Sequence, residues 1–443
     1  MLEFHQLPVA VVGPPYWTAL RPVNPPRRSS RDITRQTALV ALEGAVITVV
    51  GIGANGWVGL TSAAQAALAA ADVVIGSERQ LELLPASVGA ERLTWPTPLL
   101  PALPGLITAQ EGRRLAVLAS GDPMFYGIGS TLAALLGPDA LRVLPHPSSL
   151  SLACARLGWA LESVEVLSAV GRPLDSLQAA LAPGRRVLVL VSSASGAAEV
   201  ARLLQARGYA ASRLVVLSEL GAEGERVEDG DATSWLDSRH DPLAIVAIEC
   251  VADVGVPLSR APGLRDDAFE HDGQITKYEI RAITLAALRP IPGQLLWDVG
   301  AGSGSVGIEW MRTHPSCRAL AIEPRPERLQ RIARNAAALG VPGLEIVAGS
   351  APDALDGLPV PDAIFVGGGV SVSGVLDVCV SALEPGGRLV ANGVTVETET
   401  VLAGWHAKLG GSLTRISIER AEPIGSLTGW TPARAVTQWC YTC

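Results

Sequence analysis

Apolar residues in this chain fall into short β-branched runs that alternate with longer stretches of helical spacing. The first run, Ala45-Val46-Ile47-Thr48-Val49-Val50, reads as a buried strand. Further strands are expected at Ala71–Ile75, Leu115–Ala119, Val187–Val191, Leu214–Leu217 and Ala244–Ile248. Helices are expected at Ala63–Ala70, Ser130–Leu136, Leu150–Leu157 and Ala197–Ala206. That rhythm implies an α/β architecture.

The rhythm breaks once. Val254-Gly255-Val256-Pro257 through Gly263-Leu264 is rich in Gly and Pro, and the chain stays polar to Gly273, so a linker is expected over 254–273. A second α/β series follows. Helices are expected at Thr276–Leu288, Ser305–Arg312, Pro326–Leu339 and Gly374–Ala382. Strands are expected at Gln294–Val299, Ala319–Glu323, Leu344–Ala348, Ala363–Val366 and Arg388–Ala391, with a helix and closing antiparallel strands in 394–443. Residues 14–36 carry five prolines and an Arg cluster (Arg27, Arg28, Arg31, Arg35), an order that does not suit a signal peptide. The expected division is a flexible extension 1–43, a first domain 44–253, the linker 254–273 and a second domain 274–443.

Bulk properties narrow the classes. At 443 residues the chain exceeds one ordinary core, and 48% hydrophobic with 18% charged residues is enough to bury more than one. No apolar stretch reaches the ~18 residues of a membrane span. A net charge of -8 argues against a nucleic-acid partner, which calls for a basic face. Six cysteines are scattered, only Cys440 and Cys443 forming a C-x-x-C, so no metal site is expected and free thiols in a reducing, cytoplasmic setting are.

The sharpest local signal is Leu295-Leu296-Trp297-Asp298-Val299-Gly300-Ala301-Gly302-Ser303-Gly304-Ser305, a strand running into a glycine-rich turn and a helix. Glycines there permit positive φ and close approach of a ligand to backbone. The next strand ends in Glu323, placed to accept the two ribose hydroxyls of an adenosine. Gly302, Gly304 and Gly307 also satisfy G-x-G-x-x-G, so NAD competes with S-adenosylmethionine (SAM). Asp298 separates the two, because a carboxylate there repels a pyrophosphate and attracts a methionine ammonium. Thr276-Lys277-Tyr278-Glu279 reads both as a capping box and as a helix start lying over the cofactor, with Lys277 or Arg281 near an acidic substrate. Gly367-Gly368-Gly369 follows a strand and leaves bare backbone suited to a flat substrate.

In the first series Gly51-Ile52-Gly53-Ala54-Asn55-Gly56 repeats the glycine pattern, but the next strand ends in Gly76 and offers no carboxylate for a ribose. Downstream stands Gly121-Asp122-Pro123-Met124-Phe125-Tyr126-Gly127-Ile128-Gly129, then Val143-Leu144-Pro145-His146-Pro147-Ser148-Ser149-Leu150.

These motifs resemble two families. The G-D-P-x-x-Y-G-x-G run is similar to the tetrapyrrole methylases, which bind SAM between two α/β lobes. The D-x-G-x-G-x-G run is similar to Rossmann-like SAM methyltransferases. Their order, with Ile-Thr-Lys-Tyr-Glu-Ile-Arg between them, resembles the fused methyltransferases of cobalamin biosynthesis over roughly residues 45–435. The resemblance implies methylation of precorrin-6Y at C5 by the first domain. It implies methylation at C15 and loss of the ring-C acetate as carbon dioxide in the second. It implies SAM contacts at Thr276, Asp298, Gly300, Ala301, Gly302, Ser303, Gly304, Glu323 and Ala351, and at Gly121, Asp122, Gly127 and Ser149 in the first domain. Substrate contacts are implied at Lys277, Arg281, Gly367, Gly368, Gly51 and Gly53, with Arg312 and Arg325 as further cations and no assigned acid or base. A homo-oligomer is also implied. Another tetrapyrrole or small molecule as substrate, or a nucleotide-sensing scaffold, stays open.

Overall fold

The computed structural model describes residues 46–241, 243–253 and 258–443; the expected extension 1–43 and the first part of the expected linker, 254–257, lie outside the described residues. The chain forms two compact units. Of the described residues, one holds 46–51 with Thr61–Ala119 and Pro123–Pro145; the other holds Ile52–Leu60, Ser120–Asp122 and those of 146–443.

In the first unit, β1 (Ile47–Ile52), β2 (Val73–Gly76), β3 (Glu91–Thr94), β4 (Leu115–Ser120) and β5 (Leu141–Leu144) form one sheet, ordered β3-β2-β4-β1-β5. The β1–β5, β2–β3 and β2–β4 pairs are parallel, joined through α1 (Ser62–Ala70), α2 (Glu78–Glu82), α3 (Leu99–Thr108) and α4 (Ile128–Leu136). Ile47, Val49, Val73, Ile75 and Val117 bury their branched side chains against Leu103 and Ile107 of α3 and Leu132 and Leu136 of α4. The pattern does not announce α3, since Pro101, Pro104 and Gly105 all disfavour a helix interior. Burial of Leu103 and Ile107 overrides that local preference.

The second unit carries a five-stranded and a seven-stranded sheet. In one, β6 (Glu165–Ser168), β7 (Arg186–Leu190), β8 (Arg213–Ser218), β9 (Arg226–Asp231) and β10 (Ile245–Glu249) run in the order β6-β7-β10-β8-β9. Only β6–β7 is parallel. Its strands alternate strictly: Val187, Val189, Val216 and Val246 face α6 (Gly196–Ala206), while Leu188, Val215 and Ala247 face α5 (Ser149–Leu157).

The other sheet has seven strands: β11 (Leu295–Val299), β12 (Arg318–Glu323), β13 (Glu345–Ala348), β14 (Ala363–Val366), β15 (Arg388–Gly393), β16 (Ser412–Ile416) and β19 (Val436–Thr442). Their order is β13-β12-β11-β14-β15-β19-β16, with the first five parallel and β19 antiparallel between β15 and β16. Strand order reverses on either side of β11, and open α/β sheets place ligands beyond the carboxyl ends at such a point. The helices are α7 (Tyr278–Leu288), α8 (Ser305–Thr313), α9 (Pro326–Ala338), α10 (Val375–Ala382) and α11 (Val396–Leu409). Strands β17 (Glu419–Ile424) and β18 (Leu427–Pro432) pair as a separate hairpin. Along β11, Leu295, Trp297 and Val299 enter one core and Leu296 the other, which puts Asp298 on the Leu296 face, toward α8. Among the described residues no helix is long and apolar enough to cross a membrane.

Two expectations need correction. The stretch 258–273 is not a free linker, because Leu264 and Phe269 are buried in the core of the seven-stranded sheet. Backbone N–H groups of Gly263 and Leu264 donate to Glu309 at 2.6 and 3.0 Å, and Phe269 packs under the Arg281 guanidinium at 4.7 Å. The capping box does not form either. Helix α7 starts at Tyr278 with Lys277 as an uncapped N-cap residue, and Glu279 is drawn instead to Arg420 on the hairpin at 2.7 Å.

Arg281 and Glu309 meet at 2.5 Å with essentially no exposure. Removing one member of a buried pair strands the other charge. Glu309→Ala is therefore expected to cost about 3–5 kcal/mol in urea unfolding, and the double variant Glu309→Leu/Arg281→Met to cost less than that single change. Loss of under about 1 kcal/mol in the single variant contradicts this role.

Candidate active site

Beyond the carboxyl end of β11 the chain turns through Gly300, Gly302 and Gly304, whose φ values are +72°, +61° and +76°. Only glycine adopts such angles routinely, so the turn needs all three. The N–H groups of Gly300 and Ala301 both donate to Ile322 O, at 3.0 and 3.1 Å, tying the turn to β12. A Cβ on Gly300 would lie 2.7 Å from the backbone of Gly368, and Gly367 N donates to Val299 O at 3.0 Å. Gly367 and Gly368 after β14 are thus pressed against the turn after β11, with no side chains between.

Two carboxylates close this crevice. Glu323, at the end of β12 and 2% exposed, accepts from Gly302 N at 2.9 Å and Arg325 N at 3.2 Å. The Arg328 guanidinium stands 3.9 Å from it. Asp298 is 1% exposed; one oxygen accepts from Gly307 N at 2.9 Å and the other, Oδ1, has no partner. Burial pushes the Asp298 carboxyl up to about 7, repulsion from Glu323 adds to the rise, and the Gly307 N–H opposes it. The Ser303 hydroxyl is likewise buried without a partner, while its carbonyl is held by Asn335 Nδ2 at 2.9 Å. Buried polar atoms left unsatisfied in a bare-backbone crevice mark a place that a polar, positively charged ligand would complete. Ala351 belongs to the same edge, since Gly349 N donates to Glu323 O at 3.2 Å. Thr276 lies two residues beyond Gln274, whose carbonyl a Cβ on Gly302 would approach to 3.7 Å.

The arginines are committed elsewhere. Arg281 is fully buried and donates to Glu309, Asp266, Thr276 O and Leu264 O, so its expected role toward an acidic substrate gives way to holding the start of α7. Arg312 is buried too, on Leu339 O and Ser259 O. Arg325 pairs with Glu327 at 2.6 Å. Lys277 is half-exposed and bonds Asp266 at 3.2 Å. Sequence reasoning missed Asn335 and Arg328, which reach the turn and Glu323 from α9; no local pattern distinguishes them from solvated helix residues.

In the second unit's N-terminal segments, Gly121 (φ +60°) donates to Ile52 O at 2.9 Å, and a Cβ on it would sit 3.1 Å from Ser148 Cα. A Cβ on Gly53 would meet His146 Cε1 at 2.5 Å. Gly53, Gly121 and the 146–149 segment are therefore close-packed backbone, with half-buried Asp122 next to Gly121 and Ser149 opening α5. Ser148, not Ser149, caps that helix, accepting from Ser151 N at 3.2 Å. Gly51 is buried within β1. In the first unit Gly127 precedes α4 and accepts from Ser130 Oγ at 2.8 Å.

The family models place this two-part α/β chain in the tetrapyrrole-methylating class. Residues 46–234 match the family described as Tetrapyrrole (Corrin/Porphyrin) Methylases, and residues 267–443 the family described as Precorrin methyltransferase domain. Over 397 residues the chain is 51% identical to a precorrin-6Y C(5,15)-methyltransferase (decarboxylating) of Sinorhizobium sp, covering 89% of this chain and 96% of that one. The chain belongs to the precorrin-6Y C(5,15)-methyltransferase (decarboxylating) family. Two shorter relatives come from Salmonella typhimurium. One is a cobalt-precorrin-7 C(5)-methyltransferase, 37% identical, covering 41% of this chain and 89% of its own. The other is a cobalt-precorrin-6B C(15)-methyltransferase (decarboxylating), 34% identical, covering 37% and 87%.

The Asp298 carboxyl moves from 3.8 in the unfolded chain to about 7 in the fold, so the folded state holds its proton more tightly. The stabilisation this provides is complete below the unfolded value, declines as pH rises and is lost above about 7. Urea midpoints of the wild type should fall relative to Asp298→Asn between roughly pH 4 and 7. Parallel pH profiles for the two proteins contradict that assignment.

Proposed function

We propose that this chain uses SAM to methylate precorrin-6Y at C5 and C15 and removes the ring-C acetate as carbon dioxide, within cobalamin biosynthesis. One observation carries the reading: Asp298, a buried carboxylate with an unpartnered oxygen, stands two residues before the glycine turn, on the strand beside the one that ends in Glu323. Family membership adds the substrate class. The two shorter relatives carry the C(5) and C(15) activities separately, which supports a division of labour between residues 44–253 and 274–443.

The domain 274–443 is Rossmann-like on this reading. Asp298 Oδ1 takes the methionine ammonium, directly or through water. Glu323, whose carboxylate has acceptor capacity beyond the Gly302 and Arg325 N–H groups, takes the ribose hydroxyls. The backbone of Gly300 through Gly304, with Ser303 Oγ, Thr276 and Ala351, lines the rest. In the domain 44–253 Gly121, Asp122 and Ser149 would form the corresponding edge, with Gly53 packed closely against His146 beside it. Bound SAM supplies an electrophilic methyl group.

The chain's own work is alignment and exclusion of water. The bare backbone of Gly367 and Gly368 lets a flat macrocycle close on the turn, and half-exposed Lys277 meets one of its carboxylates. An electron-rich meso carbon of the macrocycle is the nucleophile. Its conjugated imine takes the electron pair released when the acetate C–C bond breaks.

Incubated with SAM and precorrin-6Y, the wild type should give a product with two added methyls and one carbon dioxide lost, read by mass spectrometry. Asp298→Ala should add one methyl and retain the carboxyl group. Unchanged precorrin-6Y with a folded, SAM-binding protein contradicts the reaction; two methyls added by Asp298→Ala contradicts the assignment of C15 chemistry.

A further inference from the structure

Residues 270–274 pass beside the glycine turn as a strap, and α9 holds them there with four side chains. Arg334 pairs with Glu270 at 2.8 Å. Asn335, 2% exposed, accepts from Glu270 N at 2.8 Å and donates to Glu270 O at 3.0 Å and Ser303 O at 2.9 Å, so one buried amide ties the strap to the turn itself. Arg331 and Arg328 reach Asp272 at 3.2 and 3.0 Å. Where the strap ends, a Cβ on Gly302 would lie 3.7 Å from Gln274 O.

Arg328 does more than its neighbours on α9. Its Nε donates to Asp272 at 3.0 Å and its Nη2 to Gln274 Oε1 at 2.6 Å, while Nη1 stands 3.9 Å from Glu323 Oε2. That carboxylate oxygen is the one that accepts from Gly302 N. Among the described residues Arg328 alone forms an ion pair with Glu323. The guanidinium is 11% exposed and the Glu323 side chain 3%, so water screens the pair weakly. A planar fork of donors is rigid, and turning it toward one partner draws it off the others. The strap and the carboxylate are therefore set by one group.

We infer that Arg328 is a positioning residue for the adenosyl ligand: it fixes the direction of the Glu323 carboxylate and the seat of the strap together, and so sets selection for an intact ribose diol. The inference rests on the SAM reading of this crevice. A site built to accept a hydroxyl rejects an analogue that lacks it, provided the acceptor points at the hydroxyl. Held by Gly302 N and Arg325 N alone, Glu323 would keep its place but lose the charge that orients Oε2. Thr276, two residues beyond Gln274, is seated by the same contact.

Calorimetry on the intact chain compares S-adenosylhomocysteine with its 2′-deoxyribose analogue, at the site that Asp298→Ala removes. The wild type should prefer the intact ribose about 10-fold or more. Arg328→Gln leaves a good helix former in α9 and should bring that preference down to about that of Glu323→Gln. Added to Glu323→Gln, it should lower the preference no further, because both changes act through one carboxylate. Arg331→Gln loosens Asp272 without touching Glu323 and should keep the preference. A full preference in Arg328→Gln, or an equal loss in Arg331→Gln, overturns the inference while S-adenosylhomocysteine still binds. No uptake of S-adenosylhomocysteine by the wild type at that site overturns the SAM reading itself, and the inference with it.

Discussion

Asp298 and Glu323 end adjacent parallel strands, and neither carboxylate reaches bulk water. Two acidic groups in one low-dielectric crevice repel each other, and the fold contains that repulsion in two ways. Backbone N–H groups of Gly302 and Gly307 neutralise part of each charge, and the Asp298 carboxyl moves up to about 7. What remains is a buried oxygen with no partner, two residues before a turn whose three glycines all have positive φ. The parallel register of β11 with β12 and β14 sets this arrangement, because it fixes which strand ends meet. The packing of Gly300 on Gly368 follows from the same register.

Burial of charge elsewhere serves structure. Arg281 and Glu309 satisfy each other and two backbone N–H groups of the 263–264 turn, so they fasten the segment before α7 to the sheet. Arg312 and Arg388 spend donors on carbonyls at the ends of α9 and α7 and on Ser259 O. Such pairs are neutral or mildly costly in energy compared with apolar packing, yet they hold segments in one place. That is the role they play beside the crevice.

The sequence made the crevice legible because its parts are local. Asp298, the glycines and Glu323 announce themselves through strand patterning and spacing, and their placement follows once the strands are parallel. The α/β rhythm located most strands to within two residues for the same reason. What stayed hidden depends on distant partners. Arg281 reads as a solvated cation until Glu309, 28 residues on, is found beside it. The 258–273 stretch reads as a linker because isolated Leu264 and Phe269 show no period. Helix α3 is masked by its prolines, and Asn335 and Arg328 by the polar face of α9.

We propose that the crevice between Asp298 and Glu323 takes a cationic adenosyl ligand. Calorimetric titration of the intact chain with S-adenosylhomocysteine and, separately, NADH tests it most directly. Two S-adenosylhomocysteine sites per chain are expected, one of them lost in Asp298→Ala, and no heat from NADH. Saturable NADH binding that Asp298→Ala strengthens, with no uptake of S-adenosylhomocysteine, would contradict it.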